Sequence, residues 1–288
     1  MEMKHILTYM ILFLALIGCE GVRLPSYDQQ IVVEGWIEND GYPVVILTTT
    51  VPVNSSVKDS TDLKDYLIRW GKVSISNGEK EVVLSGRKDD RYFPPYIYTT
   101  SRMKGEVGKE YHLSVEYGGR TVTASTTIPE PATLEYLRVQ EVQNNGNDPG
   151  SGRYQIIGGL RDNKDRKDYY KVFTKVHLQD SSYVSSFLGL TDDATLGDGI
   201  KEIPINRGFD QIDWKNENYF KLNDIVQVRF CTLTQEGWEY WSDFEEIQSL
   251  SKNPFFPITT DIRSNITGGL GYWTGYGSTY YTVHISSM

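Results

Sequence analysis

The clearest chemistry in the chain sits at Leu16-Ile17-Gly18-Cys19. This is the pattern of a bacterial lipobox. A small residue before the cysteine admits the signal protease, and the thiol of Cys19 takes a diacylglycerol. The preceding stretch agrees. Met1 to His5 holds one firm positive charge, and Ile6 to Gly18 is a nearly unbroken apolar run. That run is shorter than the roughly 20 residues a spanning helix needs, but it fits the core of a secretion signal. Residues 1–18 read as a lipoprotein signal peptide, Cys19 as the lipid attachment site and residues 19–29 as a tether. Each buried methylene contributes about 0.8 kcal/mol, so two or three chains hold durably at a membrane.

Other reactive residue types are sparse. Cys231 is the one cysteine left after Cys19, so no intramolecular disulfide forms, and its strand-like surroundings read as a packed, inert thiol. His112, His177 and His284 each fall on the polar face of a strand pattern, which reads as solvent-facing. A catalytic histidine needs a nucleophile and an orienting acid. The sequence has no Gly-x-Ser-x-Gly elbow, no His-Glu-x-x-His and no phosphate loop. No motif asks for a cofactor or a metal. The acidic loops at Asp162, Asn163, Asp165 and Asp168, and at Asp192, Asp193 and Asp198, are candidates for calcium, with solvated turns as the simpler reading. Two aromatic clusters remain. Tyr92, Phe93 and Tyr96 surround a diproline, and Tyr272, Trp273 and Tyr276 stand among glycines. Each suits either a recognition surface for a ligand or partner, or the packing of strands and turns.

The elements that position these residues are strands. Period-two alternation recurs from Ile31 to Ile128, with Asn77-Gly78 marking a hairpin. About seven short strands in about 100 residues predict an immunoglobulin-like β-sandwich over residues 30–130. Pro129 and Pro131 break the pattern and mark a domain boundary. Residues 131–288 predict a second antiparallel β domain carrying one helix near 238–251, where Trp241, Phe244, Ile247 and Leu250 form a stripe. Residues 180–224 read as mostly irregular with a short strand near Glu202 to Ile205, and Tyr280 to Ser286 as a closing strand. The predicted fold class is therefore all-β.

Composition narrows the partners. With 29 Lys plus Arg against 38 Asp plus Glu, the net charge is −9, which argues against nucleic acid. The 20 Tyr and 6 Trp suit strands, and also surfaces that bind proteins or sugars.

Several segments together resemble the domain-of-unknown-function 4249 lipoproteins of Bacteroidota. They are the lipobox, Ile31 to Gly41, the junction Thr127 to Pro131, Asp168-Tyr169-Tyr170, the aromatic and acidic helix near Trp241, Asn253 to Phe255, and Ser264 to Trp273. The resemblance covers nearly the whole mature chain. It implies no catalytic residue, and only Cys19 carries over as functional. It implies an outer-membrane location, with the possibility of facing outward, and a TonB-dependent transporter as partner in nutrient capture. Family members often carry further cysteines in the second domain, so the solitary Cys231 is a departure. The leading expectation is a non-enzymatic, ligand-binding or accessory lipoprotein of unknown ligand. A structural or adhesin-like subunit and an unrecognised hydrolase are the alternatives.

Overall fold

Alternation along the first strand becomes one-sided burial. β1 (Ile31–Glu38) buries every second residue, because successive side chains of a strand point to opposite faces. The computed structural model describes residues 29–51, 62–142, 152–161, 167–192, 199–208, 218–250 and 262–286. Cys19, the signal peptide and most of the tether lie outside them. So do most of the acidic-loop residues, although Asp168 and Asp192 are described.

In the first half, β1 is followed by β2 (Val44–Thr49), β3 (Lys72–Ser76), β4 (Glu81–Val83), β5 (Ser85–Lys88), β6 (Tyr96–Thr99), β7 (Glu110–Tyr117) and β8 (Arg120–Thr127). A sheet in the order β4-β3-β7-β8 packs over the strands β1-β2-β6-β5. Val33, Ile37, Leu47, Val73, Ile75, Leu113 and Val115 fill the space between them. This is a two-layer sandwich. The Tyr111 hydroxyl accepts from Glu106 N at 2.9 Å and donates to Lys104 O at 3.2 Å, the tie made by the tyrosine corner of immunoglobulin-like sandwiches. The Asn77-Gly78 hairpin forms as expected, with Gly78 at φ 84°.

The second half holds β9 (Leu134–Glu141), β10 (Tyr154–Arg161), β11 (Tyr169–Val176), β12 (Val184–Asp192), β13 (Ile200–Ile205), β14 (Ile225–Leu233), α1 (Gln235–Leu250) and β15 (Leu270–His284). A small sheet, β13-β10-β9, covers one face of β11, β14 and β15. Helix α1 covers the other face, with Trp241 buried against Phe173, Tyr272 and Tyr276.

β15 ties the halves together. It pairs parallel with β1 and antiparallel with β14, giving one sheet in the order β12-β11-β14-β15-β1-β2-β6-β5. Two corrections follow. The closing strand is not confined to Tyr280–Ser286 but begins at Leu270, and the stretch 180–224 contains β12 in addition to the expected short strand, β13. The glycines that resemble a loop signal permit close packing instead. Gly271 sits at φ 103°, and a Cβ there would meet the Val33 carbonyl.

Candidate ligand-binding surfaces

The outward residues of β1 face a layer rich in rings and charge. Glu34, Trp36 and Glu38 point away from the sandwich core, and β15 brings Tyr272 and Tyr276 alongside them. Tyr240 of α1 stacks on Tyr272 at 4.0 Å between centroids. Trp241 Nε1 donates to the Tyr276 hydroxyl at 3.0 Å. Lys171, wholly buried, is paired with Glu245 and lies 4.9 Å from the Trp241 ring. Burial lowers its pKa, and Glu245 opposes that shift.

Arg229 is the second buried cation. Its guanidinium lies 4.2 Å from the Phe173 ring, 5.1 Å from Tyr183 and 5.5 Å from Tyr276. Glu38 is 3.6 Å away and accepts from Ser278 Oγ and the Tyr280 hydroxyl, each at 2.7 Å. Arg229 Nε has no hydrogen-bond partner among the described residues. Between the two cations on β14 and β11 lies Cys231, fully buried, its thiol pushed up to about 11 by burial. A thiol so placed is packing material. Burial also carries Glu34 up to about 7, against a 3.5 Å hydrogen bond from the Tyr272 hydroxyl. This layer joins the halves more than it opens to solvent.

Among the described residues, recesses do open to solvent. One, of about 610 Å³, lies on the outer face of β3, β7 and β8. Ser76, Ser114, Thr123, Ser125 and Thr267 line it with hydroxyls, and His112 and Asn265 add donors and acceptors. The β7–β8 register places His112 opposite Ser125, with Nδ1 and Oγ 2.7 Å apart and Nε2 3.6 Å from Glu110. This acid–imidazole–hydroxyl row escaped the sequence reading. Counting back from a turn at Gly118-Gly119 would have revealed it. The row is exposed, and Ser125 lies mid-strand, whereas nucleophile elbows and oxyanion donors come from turns and helix starts. Another, of about 250 Å³, lies between β12 and α1.

The aromatic residues singled out from sequence divide in two. Tyr272, Trp273 and Tyr276 are buried, at 4%, 0% and 1% exposure. They belong to cores rather than to a recognition surface: Trp273 Nε1 donates to Tyr111 O at 3.0 Å inside the first sandwich. The cause is the continuation of β15, which turns the glycine-rich segment into a central strand. Tyr92, Phe93 and Tyr96 are half-buried around the β5–β6 turn. Tyr92 packs on Trp36 with centroids 5.9 Å apart. Beside them Asp89 is held down to about 2 by hydrogen bonds from Arg91. His112, His177 and His284 are exposed, as expected. No group of three or more His, Cys, Asp or Glu converges among the described residues.

A family model described as a domain of unknown function (DUF4249) matches residues 22–282. A search of curated proteins finds no match. The matched span covers most of the chain, which therefore belongs to the DUF4249 family.

Proposed function

We propose that this DUF4249 chain is a non-enzymatic lipoprotein of a Bacteroidota outer membrane. Anchored through Cys19, it captures a ligand as accessory to a TonB-dependent transporter. The anchor rests on the Leu16–Cys19 lipobox. The observation that carries the binding role is the hydroxyl-lined groove on β3, β7 and β8. Its side chains offer a fixed array of donors and acceptors, the chemistry that orients a polar ligand.

Support also comes from shape. β15 runs from the end where the tether joins β1 to the opposite pole near Asn223 and Ile225. At about 3.3 Å per residue that is a stiff spine of roughly 45 Å. Its far end, paired with β14, lies at the pole opposite the start of β1.

The test is co-purification from native outer membranes through a C-terminal tag, with palmitate labelling. The expected result is a transporter in stoichiometric amount and a label lost in Cys19→Ala. Recovery of the chain alone, or with copies of itself, overturns the accessory role. One observation favours a second reading, a hydrolase: the Glu110–His112–Ser125 row. Covalent capture of Ser125 by a serine-directed probe in the same preparation would move that reading ahead.

A further inference from the structure

One end of the first sandwich carries both the tether and the most exposed aromatic ring among the described residues, Trp70. β1 starts at this end, with Ile31 opposite Thr49 of β2. Ile68 N donates to Leu47 O at 2.9 Å, which holds the segment before β3 against the same end. Lys72, the first residue of β3, pairs with Glu116 near the end of β7. Trp70 therefore lies just off the sheet, beside the β7–β8 turn at Gly118-Gly119. That turn is fastened to the tether, because Arg120 Nη1 donates to Gln29 O at 2.7 Å. Leu270, opposite Val32, opens β15 at this end too.

What the tip shows to solvent has a definite chemistry. Trp70 is 89% exposed, Leu270 40% and Tyr117 37%. Single exposed apolar residues are ordinary, but tryptophan is on average highly buried. Trp and Tyr gather where one end of a ring is apolar and the other wet, at the boundary between acyl chains and headgroups. Arg69 and Arg120 are exposed beside the rings, and long cationic side chains reach from such a boundary toward phosphates. Glu116 stands near them but is paired with Lys72 at 2.6 Å.

Apolar exposure alone does not choose this end. Leu178 and Leu222 are exposed at the opposite pole, where His177 N donates to Ile225 O. The path of the chain chooses. Ten residues lead from Cys19 to Gln29, and fully extended they span at most about 36 Å. A lipid on Cys19 keeps a bilayer within that reach of the tip. Tethering makes any second contact intramolecular, at an effective concentration of about millimolar, so a few side chains suffice.

We propose that this tip is a second, noncovalent membrane contact. Trp70 and Tyr117 sit among the headgroups of the bilayer that holds the Cys19 lipid, Arg69 and Arg120 meet the phosphates, and the molecule stands on its first sandwich. The proposal rests on reading the chain as lipid-anchored.

The experiment places the lipidated chain in vesicles of phosphatidylethanolamine and phosphatidylglycerol, with and without a phosphatidylcholine brominated on its acyl chains. Brominated lipid is expected to quench tryptophan emission in the parent, and Trp70→Phe to lose that quenching. An exposed ring replaced by a ring leaves the fold intact. Leu222→Trp in the Trp70→Phe background puts a reporter at the far pole, and is expected not to restore it. Equal quenching in parent and Trp70→Phe would overturn the proposal. Quenching restored by Leu222→Trp would do the same, since the far pole would then rest on the bilayer. Mass spectrometry of the preparation reads the lipid on Cys19 separately. A lipidated chain with Trp70 unquenched sinks this contact alone, whereas a chain without lipid sinks the anchor and the contact with it. An unquenched Trp70 whose change to Ser loses the transporter, or loses association with a second copy, would give the tip to protein instead.

Discussion

Glu34 is the residue through which pH reaches the packed layer under α1. Its carboxyl faces Tyr272, which stacks on Tyr240, and burial carries it from 4.5 to about 7. The folded chain therefore holds this proton more tightly than the unfolded one. Below the unfolded value both states are protonated and Glu34 costs nothing. As pH rises the unfolded state ionises first, so stability falls, and the whole penalty is present above about 7. Glu34→Gln should leave stability unchanged near pH 4 and raise it near pH 8, by on the order of 2 kcal/mol. Denaturant titrations of both proteins at the two pH values would show it. Parallel stability curves for variant and parent would sink the assignment. Nothing in the local sequence marks Glu34, since alternation alone puts it on a polar face. The shift comes from rings supplied by β15 and α1.

At the scale of elements, the sequence was most legible where strands alternate and turns carry their own signals. β3, β4, β7 and β8 lie close to where the pattern puts them. β5 was missed because Ser85–Lys88 is exposed throughout and shows no alternation. β12 was missed because the bulge at Ser186–Gly189 interrupts its period. β15 was read as loop plus strand because glycine ordinarily weakens strands. Gly271 shows the reason it is there. Its φ of 103° disfavours any side chain, and a Cβ would press on the Val33 carbonyl. Gly271→Ala should destabilise by about 2–3 kcal/mol, combining strain with displacement of β1. Gly78→Ala, with a comparable φ of 84° but open space around it, should lose only about 1 kcal/mol. Equal losses in urea titrations would mean that the close approach to Val33 contributes nothing.

At the scale of the molecule, the eight-stranded sheet decides how the halves behave. Pro129 and Pro131 separate β8 from β9, yet Trp273 and Ile266 return to the first core. Asn39 exchanges two hydrogen bonds with the Ser278 backbone across the junction, at 2.6 and 3.2 Å. Two halves sharing a central strand should unfold together. Calorimetry of the chain is expected to give a single transition with matching calorimetric and van't Hoff enthalpies. Two resolved transitions would show that β15 does not couple them.

The sequence by itself determined the features that depend on near neighbours. These are the lipobox pattern with its short apolar run, the all-β class, the hairpin at Asn77-Gly78, the helix near Trp241 and the buried thiol of Cys231. Each follows from residue type and local period. Only the tertiary structure decided which strands meet. It placed Arg229 beside Glu38, Lys171 beside Glu245, and His112 beside Ser125. It buried Tyr272, Trp273 and Tyr276, and left the buried Trp238 Nε1 without a hydrogen-bond partner among the described residues. Those outcomes depend on pairings between segments up to about 240 residues apart, and in sheets such pairings are set by packing rather than by any local signal.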